Sequence, residues 1–257
     1  MEFLRKDVLF TLLLSYFRAI SFFSLFPFFS SNYVPLNVRL YLSFAVSFIT
    51  LSFFDIKTVN ISTFGEFILF AINEFLFGFT AGLILRLFIE ALAIAGEIIA
   101  LHAGLGFLQL FLPGRAPMSL FGVFFYLYGI LLFLSVGGAE VILIGLSESF
   151  KSLPVGSFNL FSLNPDVFLE FFYESFKLGV KVSLPVLLSS LILNLILAVV
   201  NRFIPQMNVF MVGLPLQVLV GLILLLLSLP VMTIVIVNHL RDFFEILEIF
   251  IKQLEPY

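Results

Sequence analysis

Few residues in this sequence could carry out chemistry. It contains no cysteine, and its two histidines, His102 and His239, lie far apart. Thiolate catalysis, disulfides and cysteine-based metal sites are therefore excluded, and a zinc site is not favoured. The sequence also has no nucleophile elbow, no phosphate-binding glycine loop and no paired carboxylate site. We predict from this that the protein is not an enzyme and needs neither a cofactor nor a metal.

The ionisable residues that stand out lie in or between strongly apolar segments. They are Glu74, Arg86, Glu90, Glu97 and His102. An Asp, Lys or Arg in the middle of a membrane helix costs about 2.5–3.5 kcal/mol, so something must compensate such groups. Arg86 and Glu90 are four residues apart and can pair on one helix. Glu74 and Glu97 have no such neighbour, and we expect them to face a partner subunit, an aqueous cavity or a turn at the membrane surface.

The elements that hold these residues are apolar. Of 257 residues, 61% are hydrophobic and 11% are charged, against roughly 25% charged residues in an ordinary soluble domain. So little charge cannot solvate a globular surface of this size, and membrane lipid or a large apolar partner must surround the chain. The formal net charge is -3 and the basic residues are scattered, which excludes nucleic-acid binding.

Hydropathy predicts an all-α, polytopic helical membrane protein with six or seven apolar helices. The segments are Val8–Phe29, Leu40–Phe54, Phe67–Phe88, Ala91–Leu112, Leu120–Leu134, Val180–Val200 and Val209–Val237. The first is too long for a secretory signal and lacks a cleavage site, so we interpret it as a retained span. The third and fourth could be two helices or one long bent hairpin.

The least apolar stretch, residues 147–176, has the composition of an aqueous loop with one amphipathic helix that starts at Pro165. We predict a single membrane-embedded domain, residues 1–257, in which this segment joins helical halves at approximately 1–146 and 177–257. Lys and Arg occur in nearly every break, so positive charge does not decide the orientation.

Small residues recur every four positions in two segments. Gly78 and Gly82 form a G-x-x-x-G pair, and Gly96, Ala100 and Gly104 continue the spacing in the next segment. Such stripes let helix backbones approach closely, which matters in lipid because packing drives helix association there. They predict either helix packing within the chain or a contact with another subunit.

Glycines and prolines interrupt the apolar stretch at residues 103–119. Gly104 and Gly106 add backbone freedom, while Pro113-Gly114 and Pro117 favour a turn or an extended path. A re-entrant constriction and an ordinary surface loop fit this pattern equally. In the first case we predict a plug whose apolar bulk keeps a closed pore dry. The plug residues are Phe107, Leu108, Leu110, Phe111 and Leu112.

A polar, proline-broken connector at residues 201–215 joins the last two long segments. Pro205 ends the helix, Gln206 and Asn208 offer side-chain hydrogen bonds, and Phe210 offers an apolar anchor. The plainer interpretation is a loop that only caps helix ends, with its arginine near a helix carboxyl end. We predict an assembly element made of Arg202, Pro205, Gln206, Asn208, Phe210, Gly213 and Pro215.

This connector resembles the most distinctive motif of a known family. The pattern is Arg202-x-x-Pro205-Gln206-Met207-Asn208-Val209-Phe210-x-x-Gly213-x-Pro215, and the family is FliR/SpaR, the R-type subunit of type III export gates in bacterial flagella and injectisomes. Supporting matches are Gly96–Ile99, Gly104–Phe107, Ser149-Phe150 with Pro154 and Gly156, and, more loosely, Arg18, Pro27 and Pro35. The sequence departs from the family at Phe111–Gly114, which lacks an acidic residue, and at Gly137–Glu140, which replaces an Asn-Gly-His run.

The resemblance implies a structural pore subunit of the type III export gate, which passes unfolded secretion substrates across the bacterial inner membrane. We expect the flagellar branch, at the flagellar basal body. Family members form bent helical hairpins in a spiral with P-type and Q-type subunits, FliP and FliQ, and FlhA- and FlhB-type proteins supply the cytoplasmic platform. In the family the assembly is tilted and partly lifted out of the bilayer, so hydropathy overstates the number of crossings.

The alternative function is a small-molecule or ion secondary transporter. Pro185, Pro215 and Pro230 interrupt apolar segments, as broken helices do in transporters. A carrier binds its solute through convergent polar groups, whereas Asn194, Asn201 and Gln217 are isolated in the sequence. We therefore favour the gate subunit.

Overall fold

The computed structural model describes residues 6–30, 34–53, 58–105, 118–158, 165–204 and 209–253. These residues form helices and no strand, which confirms the predicted all-α class. The helices are α1 Lys6–Leu25, α2 Pro27–Ser30, α3 Leu36–Phe53, α4 Phe64–His102, α5 Leu120–Ser135, α6 Gly138–Ser152, α7 Pro165–Phe203 and α8 Val209–Gln253.

Helix α4 is one uninterrupted helix of 39 residues, where the sequence suggested a pair or a bent hairpin. The two predicted segments are separated only by Ile89-Glu90, which contains neither Gly nor Pro, so nothing breaks the helix there. It ends at His102 rather than at Leu112. The cause is Gly104, whose φ of 74° lets the Leu105 N–H bond the Ala100 carbonyl at 3.0 Å in a Schellman turn.

Helix α6 occupies part of the chain that we expected to be polar loop. It starts after Gly137, which has a φ of 86°, and continues to Ser152. The expected start at Pro165 agrees with the first residue of α7. Proline has no N–H, but an N–H in the first turn of a helix has no acceptor within the helix, so no hydrogen bond is lost there.

The prolines of the last two apolar segments do not break them. Helix α7 runs through Pro185, and α8 runs through Pro215 and Pro230. The broken helices that motivated the transporter interpretation are therefore not present in these two segments.

Three helical stretches among the described residues are long and apolar enough to cross a membrane. They are Lys6–Leu25, Phe168–Phe203 and Met211–Leu247. A fourth arises if α5 and α6, which are separated by a short break, count as one span. The number is smaller than the number of hydropathy segments.

The chain divides into two compact units. The first contains Met1–Leu87, Gly137–Phe172 and Asp242–Tyr257, and the second contains Phe88–Val136 and Tyr173–Arg241. Each unit draws residues from both sides of the segment 147–176, and the single domain with two halves stays a prediction.

Each unit has its own buried apolar core. The first core includes Leu14, Ala19, Phe22, Phe77, Phe150, Phe158 and Phe171. The second includes Leu92, Ala95, Ile99, Phe125, Leu178, Val182, Val186, Ile236 and Leu240.

The start of α4 is fixed by Glu66, in the manner of a capping box. Its carboxylate accepts hydrogen bonds from the Ser62 hydroxyl at 2.8 Å, the Ser62 N–H at 3.0 Å and the Thr63 N–H at 3.3 Å. These bonds favour the charged form and lower the pKa of Glu66.

Candidate functional site

The first unit contains a buried ion pair between Arg18 and Glu74. Arg18 Nε donates to Glu74 Oε2 at 2.5 Å, and Nη2 donates to Oε1 at 3.1 Å. Both side chains are 0% exposed. This is the fork geometry in which a guanidinium meets a carboxylate through two parallel bonds.

The remaining groups of the pair are satisfied by the end of α6 and the turn after it. Arg18 Nη1 donates to the Ser149 carbonyl at 3.0 Å, and Nη2 donates to the Leu153 carbonyl at 3.1 Å. The Gly156 N–H donates to Glu74 Oε1 at 2.7 Å. A cation beside the last carbonyls of a helix also complements its dipole. The pair therefore joins α1, α4 and α6.

Two aromatic rings cover the guanidinium of Arg18. Its central carbon lies 4.7 Å from the ring centre of Phe77 and 4.4 Å from that of Phe150. Cation–π contacts of this kind strengthen when water is excluded. We refer to Arg18, Glu74, Phe77, Ser149 and Phe150 as the ion-pair cluster.

Gly78 and Gly82 set the separation between α1 and α4 at this cluster. A Cβ at Gly78 would overlap the Arg18 carbonyl and the Ser21 hydroxyl, and one at Gly82 would lie 2.8 Å from the Phe22 carbonyl. Gly78 and Gly82 thus pack against α1 of the same chain, and the backbones of the two helices are in direct contact. One turn of α4 separates Glu74 from Gly78, so the close approach brings the carboxylate to Arg18.

The location of Glu74 differs from the three that we expected from the sequence. It is buried inside the first unit, where it pairs with an arginine 56 residues away in the chain. Sequence reasoning connected Arg18 only loosely with the family pattern. The available signal was an isolated buried acid and an isolated buried base in separate apolar segments.

In the second unit, Glu97 lies at the start of α5. The Ser119 N–H donates to Glu97 Oε1 at 2.5 Å, and the Ser119 hydroxyl accepts from the Gly122 N–H at 2.9 Å. Gly96 packs on the Phe121 carbonyl, where a Cβ would not fit. A carboxylate at a helix N-terminus is stabilised by the free N–H groups and the helix dipole.

We expect Glu97→Leu to destabilise this junction more than Ser119→Ala. Loss of the N-cap hydroxyl costs about 1 kcal/mol, whereas loss of Glu97 removes a charge-assisted bond of about 1.5–3 kcal/mol. The measurement is the thermal aggregation midpoint of the chain in detergent. Glu148→Gln is the control, because Glu148 is exposed on α6 and should change the midpoint little. Equal midpoints for Glu97→Leu and Glu148→Gln would contradict the role of Glu97.

The carboxyl end of α4 is held by α7 and α8 within the second unit. His102 Nδ1 lies 2.9 Å from the Ser190 hydroxyl. A Cβ at Gly221 would lie 2.7 Å from the Ala103 Cβ, and one at Gly104 would lie 3.3 Å from the Gln217 Cβ. The predicted packing residue Ala100 is buried on the same stretch.

Arg86 and Glu90 are half-buried on α4, and their pairing stays a prediction. The predicted plug residues, Phe107 to Leu112, lie outside the described residues, as do Pro205, Gln206 and Asn208. Of the remaining connector residues, Arg202 is exposed in the last turn of α7, Gly213 is buried and Pro215 is exposed on α8. Phe210 belongs to α8.

Chemically, the buried charges support helix packing rather than catalysis. The described residues contain no group of three or more His, Cys, Asp or Glu side chains that could hold a metal ion. Arg18 and Glu74 are paired with each other and have no solvent access, so a substrate cannot reach them.

Comparison with known proteins gives consistent matches over nearly the whole chain. The model of the family described as bacterial export proteins, family 1, matches residues 9–243. The flagellar biosynthetic protein FliR of Aquifex aeolicus (strain VF5) is 64% identical over 247 residues, which is 96% of each chain. The protein of the same name from Bacillus subtilis (strain 168) is 32% identical over 88% of each chain. That of Escherichia coli (strain K12) is 28% identical over 92% of this chain and 91% of its own.

Proposed function

We propose that this chain, which belongs to the bacterial export proteins, family 1, is a non-enzymatic subunit of the flagellar protein export apparatus in the bacterial inner membrane. The observation that carries the proposal is the 64% identity to a flagellar biosynthetic protein over 96% of both chains. At that identity and coverage, we expect the two chains to have the same fold.

The buried polar groups are consistent with a structural role. In the first unit the guanidinium and carboxylate of Arg18 and Glu74 are used in bonds that join helices. In the second unit Glu97 caps a helix. Chemistry on a substrate would need such groups to be accessible, so these residues serve packing and positioning.

The lengths of the helices support a covered, assembled state. Helix α8 has 45 residues and is therefore about 67 Å long, more than twice a hydrocarbon layer of about 30 Å. Helices α4 and α7, of 39 residues each, reach about 58 Å. Helices of this length extend beyond the hydrocarbon, and their apolar side chains there need protein neighbours.

The finer architecture follows from the family resemblance. The chain is a pore subunit whose bent hairpins join a spiral with P-type and Q-type subunits, FliP and FliQ, next to FlhA- and FlhB-type proteins. Exposed large apolar side chains support it. They include Leu188, Ile192, Leu195 and Val199 on α7 and Met211, Leu219, Leu226 and Leu227 on α8.

Deletion and complementation test the proposed function. In a flagellated bacterium without its own copy of this gene, we expect no external flagellar subunits in the medium and no swimming. A plasmid that encodes this chain should restore both, and the Glu148→Gln variant should do so equally. Normal flagellation of the deletion strain would reject the proposal. Solute uptake by vesicles that contain only this purified chain would favour the transporter instead.

A further inference from the structure

An amide pair interrupts an apolar surface of the second unit. Gln217 Nε2 of α8 donates to Asn194 Oδ1 of α7 at 2.5 Å. Asn194 is exposed and Gln217 is half-buried, so the pair lies at the surface of the two helices. Bulky exposed side chains surround it in sequence: Leu191, Ile192, Leu195, Ile196, Leu216 and Leu219.

The pair lies well inside the helices, away from their ends. Asn194 precedes the end of α7 at Phe203 by nine residues, and Gln217 follows the start of α8 at Val209 by eight. Both distances correspond to about 12–14 Å along a helix. Both residues also belong to stretches that are apolar enough to cross a membrane. The helix ends, where water would be expected, are therefore far from the amides.

The hydrogen bond between Gln217 and Asn194 uses only some of the donors and acceptors of the two amides. An Asn or Gln amide has two N–H donors and an oxygen that accepts two bonds. Among the described residues, no acceptor is found for Asn194 Nδ2 and no donor for Gln217 Oε1. This face thus offers a donor and acceptors that lipid chains cannot satisfy.

We propose that the surface around Asn194 and Gln217 docks an apolar membrane helix of a different export-apparatus subunit, which places a Ser or Thr hydroxyl against the amides. The inference rests on the proposed function, because it takes the apparatus as the source of the partner. A hydroxyl fits because it can both accept from Asn194 Nδ2 and donate to Gln217 Oε1.

The bulk of the surface argues for a partner with small residues rather than a second copy of this chain. A hydrogen bond to a short Asn side chain requires close approach of the helices, and small residues permit this. The exposed residues beside Asn194, such as Leu191 and Leu195, are large. The small residues Gly96 and Gly221 face backbone or side chains inside the second unit, so they are not available to a second copy.

Site-directed crosslinking tests the contact in the full apparatus. The chain contains no cysteine, so Leu195→Cys, next to Asn194 and 66% exposed, gives a single attachment point for a maleimide benzophenone. Irradiation of native membranes should produce an adduct with a different subunit. Leu131→Cys on α5, 61% exposed, is the matched position that should not give this adduct.

The amides themselves are tested by near-isosteric apolar replacement. In the Leu195→Cys background, Asn194→Leu with Gln217→Met should lower the adduct yield by about threefold to tenfold, the range for one or two interhelical hydrogen bonds. Tyr128→Phe removes the 2.6 Å bond between Tyr128 and Thr233, another side-chain bond between helices of this unit, and should leave the yield unchanged.

Each other outcome overturns the inference. An adduct at twice the mass of this chain would show a second copy, and adducts with lipid alone would show a lipid-facing surface. An unchanged yield in the amide variant would show that the amides do not contribute. Swimming of the Leu195→Cys strain is scored separately, because restored swimming supports the proposed function whichever adduct forms.

Discussion

Replacing Arg18 by Met is expected to remove most of the chain from the membrane fraction and to abolish flagellar export. The replacement leaves the Glu74 carboxyl group 0% exposed and without its cation, and the Ser149 and Leu153 carbonyls lose their donors. Breaking a buried ion pair from one side costs about 3–5 kcal/mol, a large share of the roughly 5–15 kcal/mol that stabilises a domain. The measurements are the amount of tagged chain in membranes and the diameter of swimming rings.

Two further variants separate the charge from the geometry of the guanidinium. Arg18→Lys keeps the charge, but a single ammonium cannot reach the Glu74 carboxylate and both carbonyls in the fork arrangement, so we expect a large defect. Arg18→Met with Glu74→Met removes both charges, and the membrane level should recover in part because no isolated charge remains.

The control for these variants is an ion pair at the surface. Lys177 and Glu174 are 2.6 Å apart, with side chains 36% and 30% exposed, and such pairs contribute about 0–1 kcal/mol. Glu174→Gln should therefore leave the membrane level and swimming close to normal. If Arg18→Met accumulated and swam as well as Glu174→Gln, the ion-pair cluster would have no role in stability.

Composition and hydropathy were sufficient to predict the fold class and most of the helices. Apolar runs mark helix positions directly, and the segment Leu120–Leu134 agrees with α5 within one residue at its end. The pattern does not encode which helices face each other. The contact between Arg18 and Glu74 spans 56 residues, and every apolar segment offers a face for packing.

Helix α6 shows why a hydropathy window misses an amphipathic helix. Glu140, Glu148 and Lys151 make its sequence look polar, yet the buried positions Ile142, Leu146, Ser149 and Phe150 recur at helical spacing. A search for a period of 3.6 residues would have detected this face. The omission affected the site directly, because the carboxyl end of α6 supplies acceptors for Arg18.

The sequence predicted that Gly78 makes a close helix contact, but it did not predict which helix is the partner. The four-residue spacing with Gly82 indicated close helix approach and left open whether the partner was this chain or another subunit. The structure places α1 against it, at the residue that forms the ion pair. Gly78 and Glu74, one turn apart on α4, therefore act together to hold α4 against α1.

Gly78→Ala is accordingly expected to reduce the membrane level and export, although it adds only one methyl group to a helix. The Cβ would overlap the Arg18 carbonyl and the Ser21 hydroxyl, and overpacking of this kind costs about 1–3 kcal/mol. The shift of α1 that relieves the overlap also lengthens the bonds to Glu74, which places the effect at the upper end of that range.

Gly65→Ala is the matched control on the same helix. A Cβ at Gly65 has nothing within 4 Å, so the change should be neutral or should stabilise α4 by up to about 1 kcal/mol through helix propensity. The two variants are compared by thermal aggregation midpoint and by swimming. The overlap with the Arg18 backbone carbonyl remains in a chain that already carries Arg18→Met with Glu74→Met. Only the part of the loss that comes from the lengthened bonds to Glu74 should be absent there. Equal losses in both backgrounds would show that the glycine serves backbone packing alone, independently of the ion pair.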